Sequence, residues 1–165
     1  DVDEKSQGSR SNGVRSSGNL FQRPEASFRQ LAEYVAQAVE RYRQTFAGEN
    51  CQFVKGFPKT TEFASSWYVK MKSGGHLTSH IHEEGWVSGA LYLAVPKQKT
   101  HPDEGSIELS THGDDYPKQH DNFPSKTIAP EVGDIVMFPS SVFHRTIPFT
   151  SDEERICIAF DLKPA

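Results

Sequence analysis

Arg155-Ile156-Cys157-Ile158-Ala159-Phe160-Asp161-Leu162 alternates without a break. In an extended strand successive side chains point to opposite faces. Ile156, Ile158, Phe160 and Leu162 therefore share one face, and Arg155, Cys157, Ala159 and Asp161 share the other. The first face is bulky and apolar and needs a second layer to cover it. The second begins with a guanidinium and continues mostly with small side chains. Cys and Ala are poor choices for a solvated face, whereas an Arg fork matches a carboxylate bidentately. An exposed edge strand, with Arg155 in solvent beside Glu153 and Glu154, leaves Cys157 and Ala159 unexplained. The run is expected to be a buried strand with an apolar layer behind it and an anion-holding cavity in front.

Working outward, the chain after Asn50 breaks into short β-like runs. Candidate strands are 66–72, 77–82, 87–95, 106–110, 134–138, 142–147 and 155–162. Ser73-Gly74-Gly75, Glu84-Gly85, Pro96 and Pro139 supply the breaks. Residues 97–130 are weakly patterned and read as loop around one strand. From Pro24 to Phe46 the period is helical: Phe28, Leu31, Val35, Val39, Tyr42 and Phe46 recur every three or four residues. Pro24 suits a first turn, Ser27 with Gln30 matches a capping box, and Gly48 a stop. The apolar stripe of this helix is expected to pack on the outside of a sheet. Many short strands behind one helix, with no βαβ alternation, indicate a mainly β sandwich or jelly roll.

A chain of 165 residues is expected to form one domain with a real core. Residues 1–19, rich in Ser, Gly, Asn and Arg, read as a flexible N-terminal segment. Within it, Gly13–Gly18 has a second reading, as a lid over a pocket. Residues 20–165 then form the folded domain. The net charge of −4 and pI near 6.0 argue against a nucleic-acid partner. No apolar run is long enough to span a membrane, and no signal-peptide pattern opens the chain. Cys51 and Cys157 form neither a metal spacing nor a disulfide framework. A soluble, reduced, cytoplasmic setting is expected.

The histidines carry the chemistry. His80 and His82 stand two apart in a candidate strand and share a face. His144 comes 64 positions later, near the end of another. Three donors on one side of a metal leave the other side open for substrate or cosubstrate. A structural zinc site would need a fourth protein ligand, and no Cys stands ready. Against this, a His-x-His pair arises often by chance in ordinary surface or core positions. His76, His101, His112 and His120 lie in loop-like contexts and are expected to be exposed.

The order His80-x-His82, Gly85-Trp86-Val87-Ser88-Gly89-Ala90-Leu91-Tyr92, Pro130-x-x-Gly133-Asp134, Phe138-Pro139-Ser140, His144 and Arg155 resembles the 2-oxoglutarate/iron(II) oxygenase superfamily. It is most similar to a bacterial and phage branch, some members of which are fused to tetratricopeptide repeats. The resemblance covers about residues 18–164 and implies a double-stranded β-helix, the cupin-like jelly roll. It implies Fe(II) and 2-oxoglutarate as cofactors and molecular oxygen as a reactant. The substrate would be a small molecule or a protein side chain that is hydroxylated as 2-oxoglutarate becomes succinate. His144 would be an iron ligand, and Arg155, 11 residues on, would anchor the far carboxylate of the cosubstrate. Tyr68, Ser88 and Tyr92 are candidates to line the pocket and hydrogen-bond the cosubstrate. Trp86 either closes over substrate or joins the core. Lys70 either neutralises an acidic substrate or is a solvated strand residue, and Arg145 is expected to face away from the site.

One departure matters. The superfamily's usual triad is His-x-Asp or His-x-Glu with the distal His, and here His82 fills the carboxylate position. The expected metal set is His80, His82 and His144, one negative charge short of the usual triad. Glu84 in place of His82, or a two-histidine site completed by water, are the alternatives. Two rival functions also stand: a three-histidine cupin-type dioxygenase that uses no 2-oxoglutarate, and a β-helix module that binds without catalysis.

Overall fold

The structure, a computed structural model, describes residues 10–113 and 116–165. In chain order the elements are β1 (Arg10–Arg15), a 3-10 turn (Leu20–Gln22), α1 (Ala26–Phe46), α2 (Gln52–Lys55), β2 (Thr61–His80), β3 (Val87–Ala94), β4 (Ile107–Ser110), β5 (Ser125–Ile128), β6 (Ile135–Pro139), β7 (Phe143–Thr146) and β8 (Arg155–Pro164). The strands form one curled antiparallel sheet in the order β5-β4-β7-β2-β8-β3-β6, with β1 also paired to β2. This is the jelly-roll architecture expected, with its helix on the outside.

Strand β2 joins the two halves. Thr61–Met71 pairs with β8, which continues to β3 and β6. Leu77 and His80 pair with Thr146 and His144 of β7, which continues to β4 and β5. The expected break at Ser73-Gly74-Gly75 is not a strand end. Opposite β1, the partners step from His76 to Met71 while β1 advances only from Ser11 to Gly13, so the extra residues of β2 bulge out. Gly74 takes φ +77° there, a conformation that costs a glycine little. A bulge bends a strand without ending it, so one strand serves both halves.

The alternation in β8 is realised. Ile158, Phe160 and Leu162 join Leu20, Phe21, Val35, Val39 and Val87 in an outer apolar cluster. Cys157 joins Trp67, Val69, Met71, Tyr92 and Phe138 in an inner one, with Ala159 packed against it. The α1 stripe covers the outer face, with Val35 and Val39 buried and Phe46 left exposed.

Several expectations are corrected. Helix α1 begins at Ala26 with Glu25 as its N-cap and no side-chain cap. Ser27 and Gln30 therefore lie inside the helix rather than forming a capping box, and Pro24 precedes the cap. The Glu25 carboxylate is instead held by Arg23. The short helix α2 was unforeseen. Residues 97–130 contain two strands, not one: β5 pairs along β4, and its residues Ser125, Lys126 and Thr127 are exposed. A short edge strand without an apolar face gives the sequence no alternation to read. Of the segment 1–19, Arg10–Arg15 is strand β1, and residues 1–9 lie outside the described residues. No helix among the described residues is long and apolar enough to cross a membrane.

Phe160 is fully buried in the outer cluster beside Phe21 and Phe63. Phe160→Ala should cost about 3–5 kcal/mol of stability. Urea unfolding should show a lower midpoint with an unchanged slope.

Candidate metal centre and pocket

The inner face of the sheet opens into a pocket whose cavity volume is about 60 Å³. Its wall is built by alternate residues of the strands: Trp67 and Val69 from β2, Ala90 and Tyr92 from β3, His144 and Thr146 from β7, and Arg155, Cys157 and Ala159 from β8. Period-two alternation thus turns the sequence directly into a wall.

His80, His82 and His144 meet in this pocket, and one ring nitrogen of each lies within 4.8 Å of the others. Their ring centroids are 4.2–5.3 Å apart. His80 ends β2 opposite His144 on β7, a direct cross-strand pair. His82 lies two residues beyond the strand, not within it. Its backbone N–H donates to the Ser140 carbonyl (3.0 Å), which returns the ring to the same side. The turn permits this because residue 85 is glycine: a Cβ there would collide with Ser140 Oγ.

Each imidazole has its Nδ1 engaged. Nδ1 of His80 donates to the Thr78 carbonyl (2.7 Å) and that of His144 to the Val142 carbonyl (3.2 Å). His82 Nδ1 donates to Asp161 Oδ1 (2.5 Å), with Ser88 Oγ also 3.1 Å away. With Nδ1 carrying the proton, Nε2 keeps its lone pair, the tautomer a metal requires. His82 Nε2 is buried and has no hydrogen-bond partner, an arrangement that is costly unless something binds there. Burial, and then the neighbouring imidazoles, push His144 down to about 2. Burial also lowers His80. Both rings are therefore neutral near pH 7, as ligation requires. The donor set fits a divalent metal.

Arg155, 2% exposed, lines the same pocket. Its Nε donates to the Gly105 carbonyl (2.8 Å), Nη2 to Tyr92 Oη (3.3 Å) and Nη1 toward Cys157 Sγ (3.8 Å). A guanidinium has five N–H donors, so two remain unused, and no carboxylate pairs with it among the described residues. A buried cation without an anion is costly, and this one faces a cavity. Burial pushes Tyr92 up to about 12, so its hydroxyl stays protonated beside Arg155. The residues fit an anionic ligand as well as a metal.

The other expected residues divide. Ser88 is buried behind His82, bonded to Asp161 Oδ1 (2.7 Å) and 2.8 Å from Ser140 Oγ, rather than on the pocket wall. Tyr68 is not brought to the site: Trp67 and Val69 take the inner face, which sends Tyr68 to the outer cluster. Trp86 is in that outer cluster too, stacked on Phe53 at 5.7 Å. Glu83 and Glu84 are exposed in the turn. Lys70 pairs with Glu154 (2.6 Å), and Arg145 with Glu108 on the far face. His101 and His120 are exposed, whereas His76 and His112 are half-buried, all of them outside the pocket.

Over residues 65–161, more than half its length, the chain matches the family described as "Putative 2OG-Fe(II) oxygenase". The chain belongs to that 2OG-Fe(II) oxygenase family. Solved structures of similar fold include three further proteins. HygX from Streptomyces hygroscopicus, with nickel and 2-oxoglutarate bound, is 12% identical with a TM-score of 0.60, over 99% of this chain and 73% of that one. A prolyl-4-hydroxylase from Pseudomonas putida is 17% identical, TM-score 0.55, over 93% and 71%. A 2OG-Fe(II) oxygenase family oxidoreductase from Burkholderia pseudomallei is 12% identical, TM-score 0.54, over 84% of this chain and only 57% of its own. At these identities the likeness establishes the fold. No curated protein matches the sequence.

Two residues of this 2OG-Fe(II) oxygenase domain escaped the sequence reading as site residues. Asp161 was placed on the right face of its strand by alternation, but nothing in the sequence tied it to His82. Arg15, from β1, lines the pocket with its guanidinium carbon 5.2 Å from the Trp67 ring centroid. Its segment was read as a flexible tail or, over Gly13–Gly18, as a lid, and neither reading singled out Arg15.

The pocket also contains a thiol. Cys157 is buried in its wall and burial raises its pKa, whereas Cys51 is exposed. Thiolate is the reactive form. A disulfide-exchange reagent should therefore modify one thiol quickly in the native protein and two only after denaturation.

Proposed function

We propose that the domain holds Fe(II) on His80, His82 and His144 and binds 2-oxoglutarate with its distal carboxylate on Arg155. The reaction would be hydroxylation of a small molecule or protein side chain at the expense of molecular oxygen. The observation that carries this reading is the placement in one pocket of three imidazoles and a buried guanidinium that no carboxylate among the described residues pairs. When bound, iron and 2-oxoglutarate would supply the oxidising chemistry. The chain's task is then to bind, orient and exclude water. The Nδ1 hydrogen bonds hold three lone pairs toward one point. Tyr92 steadies the Arg155 fork and, staying protonated, leaves the cosubstrate's charge to the guanidinium. Val69, Leu77, Ala90, Ile107 and Phe138 make the walls apolar, which strengthens charge interactions inside.

The all-histidine donor set favours one further reading: a dioxygenase that oxidises its substrate directly, with Arg155 holding the substrate's own carboxylate. Succinate release coupled to oxygen uptake separates the two.

Anaerobic titration with Fe(II) and 2-oxoglutarate should produce a weak visible charge-transfer band only when both are present. His144→Ala should remove it by losing the metal. Arg155→Ala should still bind metal but lose about 2–5 kcal/mol of 2-oxoglutarate affinity, roughly thirtyfold or more. Equal 2-oxoglutarate affinity in Arg155→Ala and the parent would sink the anchor assignment. Glu84→Ala should bind metal as the parent does, and a loss there would move the third ligand from His82 to Glu84.

A further inference from the structure

Behind His82 lies a carboxylate that no part of the proposed chemistry has yet used. Asp161 is 5% exposed and accepts three hydrogen bonds. They come from His82 Nδ1 (2.5 Å) and Ser88 Oγ (2.7 Å) on Oδ1, and from Ser65 Oγ (3.0 Å) on Oδ2. All three donors suit an ionised carboxylate, yet no Lys or Arg pairs with it among the described residues. A buried anion without a cation is strongly disfavoured. On the other side of the same ring, His82 Nε2 is buried with nothing to bond. These two costs have one remedy. A cation bound at Nε2 would satisfy the nitrogen and, through the ring, face the carboxylate.

We propose that Asp161 is the positioning residue of the metal site, an inference that rests on the metal reading above. Through the Nδ1 hydrogen bond it fixes the His82 tautomer and ring angle. It also lends the all-histidine site the negative charge that its ligands lack. A carboxylate behind a ligating histidine raises the basicity of that ligand. The usual superfamily triad would place a carboxylate on the metal; here the carboxylate stands one imidazole further out. The ring transmits its effect, so the metal meets three neutral nitrogens backed by one buried charge. Ser88 and Ser65 hold that carboxylate, and Ser140, 2.8 Å from Ser88, ties the cradle to the turn that carries His82.

The test is an anaerobic Co(II) titration of the apoprotein, read by affinity and by the d–d absorption of the bound ion. The proteins compared are the parent, Asp161→Asn, His82→Ala and the double variant, each checked for folding by circular dichroism. Asp161→Asn keeps the shape and removes the charge. It should weaken Co(II) about 10–100-fold and shift the d–d bands. Once His82 is alanine, the Asp161 change should have almost no further effect on affinity, because its route to the metal is gone. If Asp161→Asn fails to fold, Ser88→Ala, which removes one donor to the carboxylate, should show a smaller loss in the same direction. Parent-like affinity and spectrum in Asp161→Asn would overturn the proposal, as would full additivity of the two losses. A parent protein that binds no Co(II) would instead overturn the underlying metal reading, and this inference with it.

Discussion

The hydrogen-bonded position of β8 between β2 and β3 is the constraint on which the site depends. Every second residue of β8 faces the helix layer, and the others face the pocket. Residues 155–162 therefore contribute to both core clusters and carry two buried charged side chains, Arg155 and Asp161. A one-residue slip would exchange the two sets, burying Arg155 and Asp161 against α1 and exposing Ile158 and Phe160 to the cavity. The outer cluster thus holds the chemistry in register. Strand β2 is the second requirement, because only a strand long enough to pair with β8 and then β7 can bring His80 opposite His144.

Electrostatically the pocket is built from uncompensated parts. Among the described residues Arg155 has no carboxylate partner and Asp161 no Lys or Arg partner, and His80 and His144 are held neutral by burial and by neighbouring imidazoles. In a protein that kept nothing in this pocket, each would be a stability cost without return. The pattern is that of a site whose balance is completed by what it binds. It also separates the two charges spatially, with the carboxylate behind the histidines and the guanidinium farther along the same strand.

Much of this was legible in the sequence because it rests on periodicity. The β8 alternation, the α1 stripe and the His-x-His pair are local patterns, and the structure realises each as an element or a contact. The residues that bring His82 into place are another matter. Asp161 lies 79 positions away, Ser140 lies in a different turn, and Gly85 matters only for what a Cβ would strike. No local period encodes such contacts. Tyr68 was misplaced for a simpler reason: a Tyr in a strand with apolar residues on both sides suits either face. Strands β1 and β5 were missed because an edge strand can consist of polar residues and still find its hydrogen bonds.

Arg155 and Asp161 stand six residues apart on one strand, about 20 Å of extended backbone, with the guanidinium leaning back toward Cys157. One strand therefore sets the distance between the buried guanidinium and the carboxylate behind His82. The rim elements meet that strand from the side, β1 with Arg15 in the pocket wall and the segment before β4 with the Gly105 carbonyl on Arg155. On the proposed reading β8 is a fixed gauge for one ligand, and the choice of what else enters would fall to the residues around its rim.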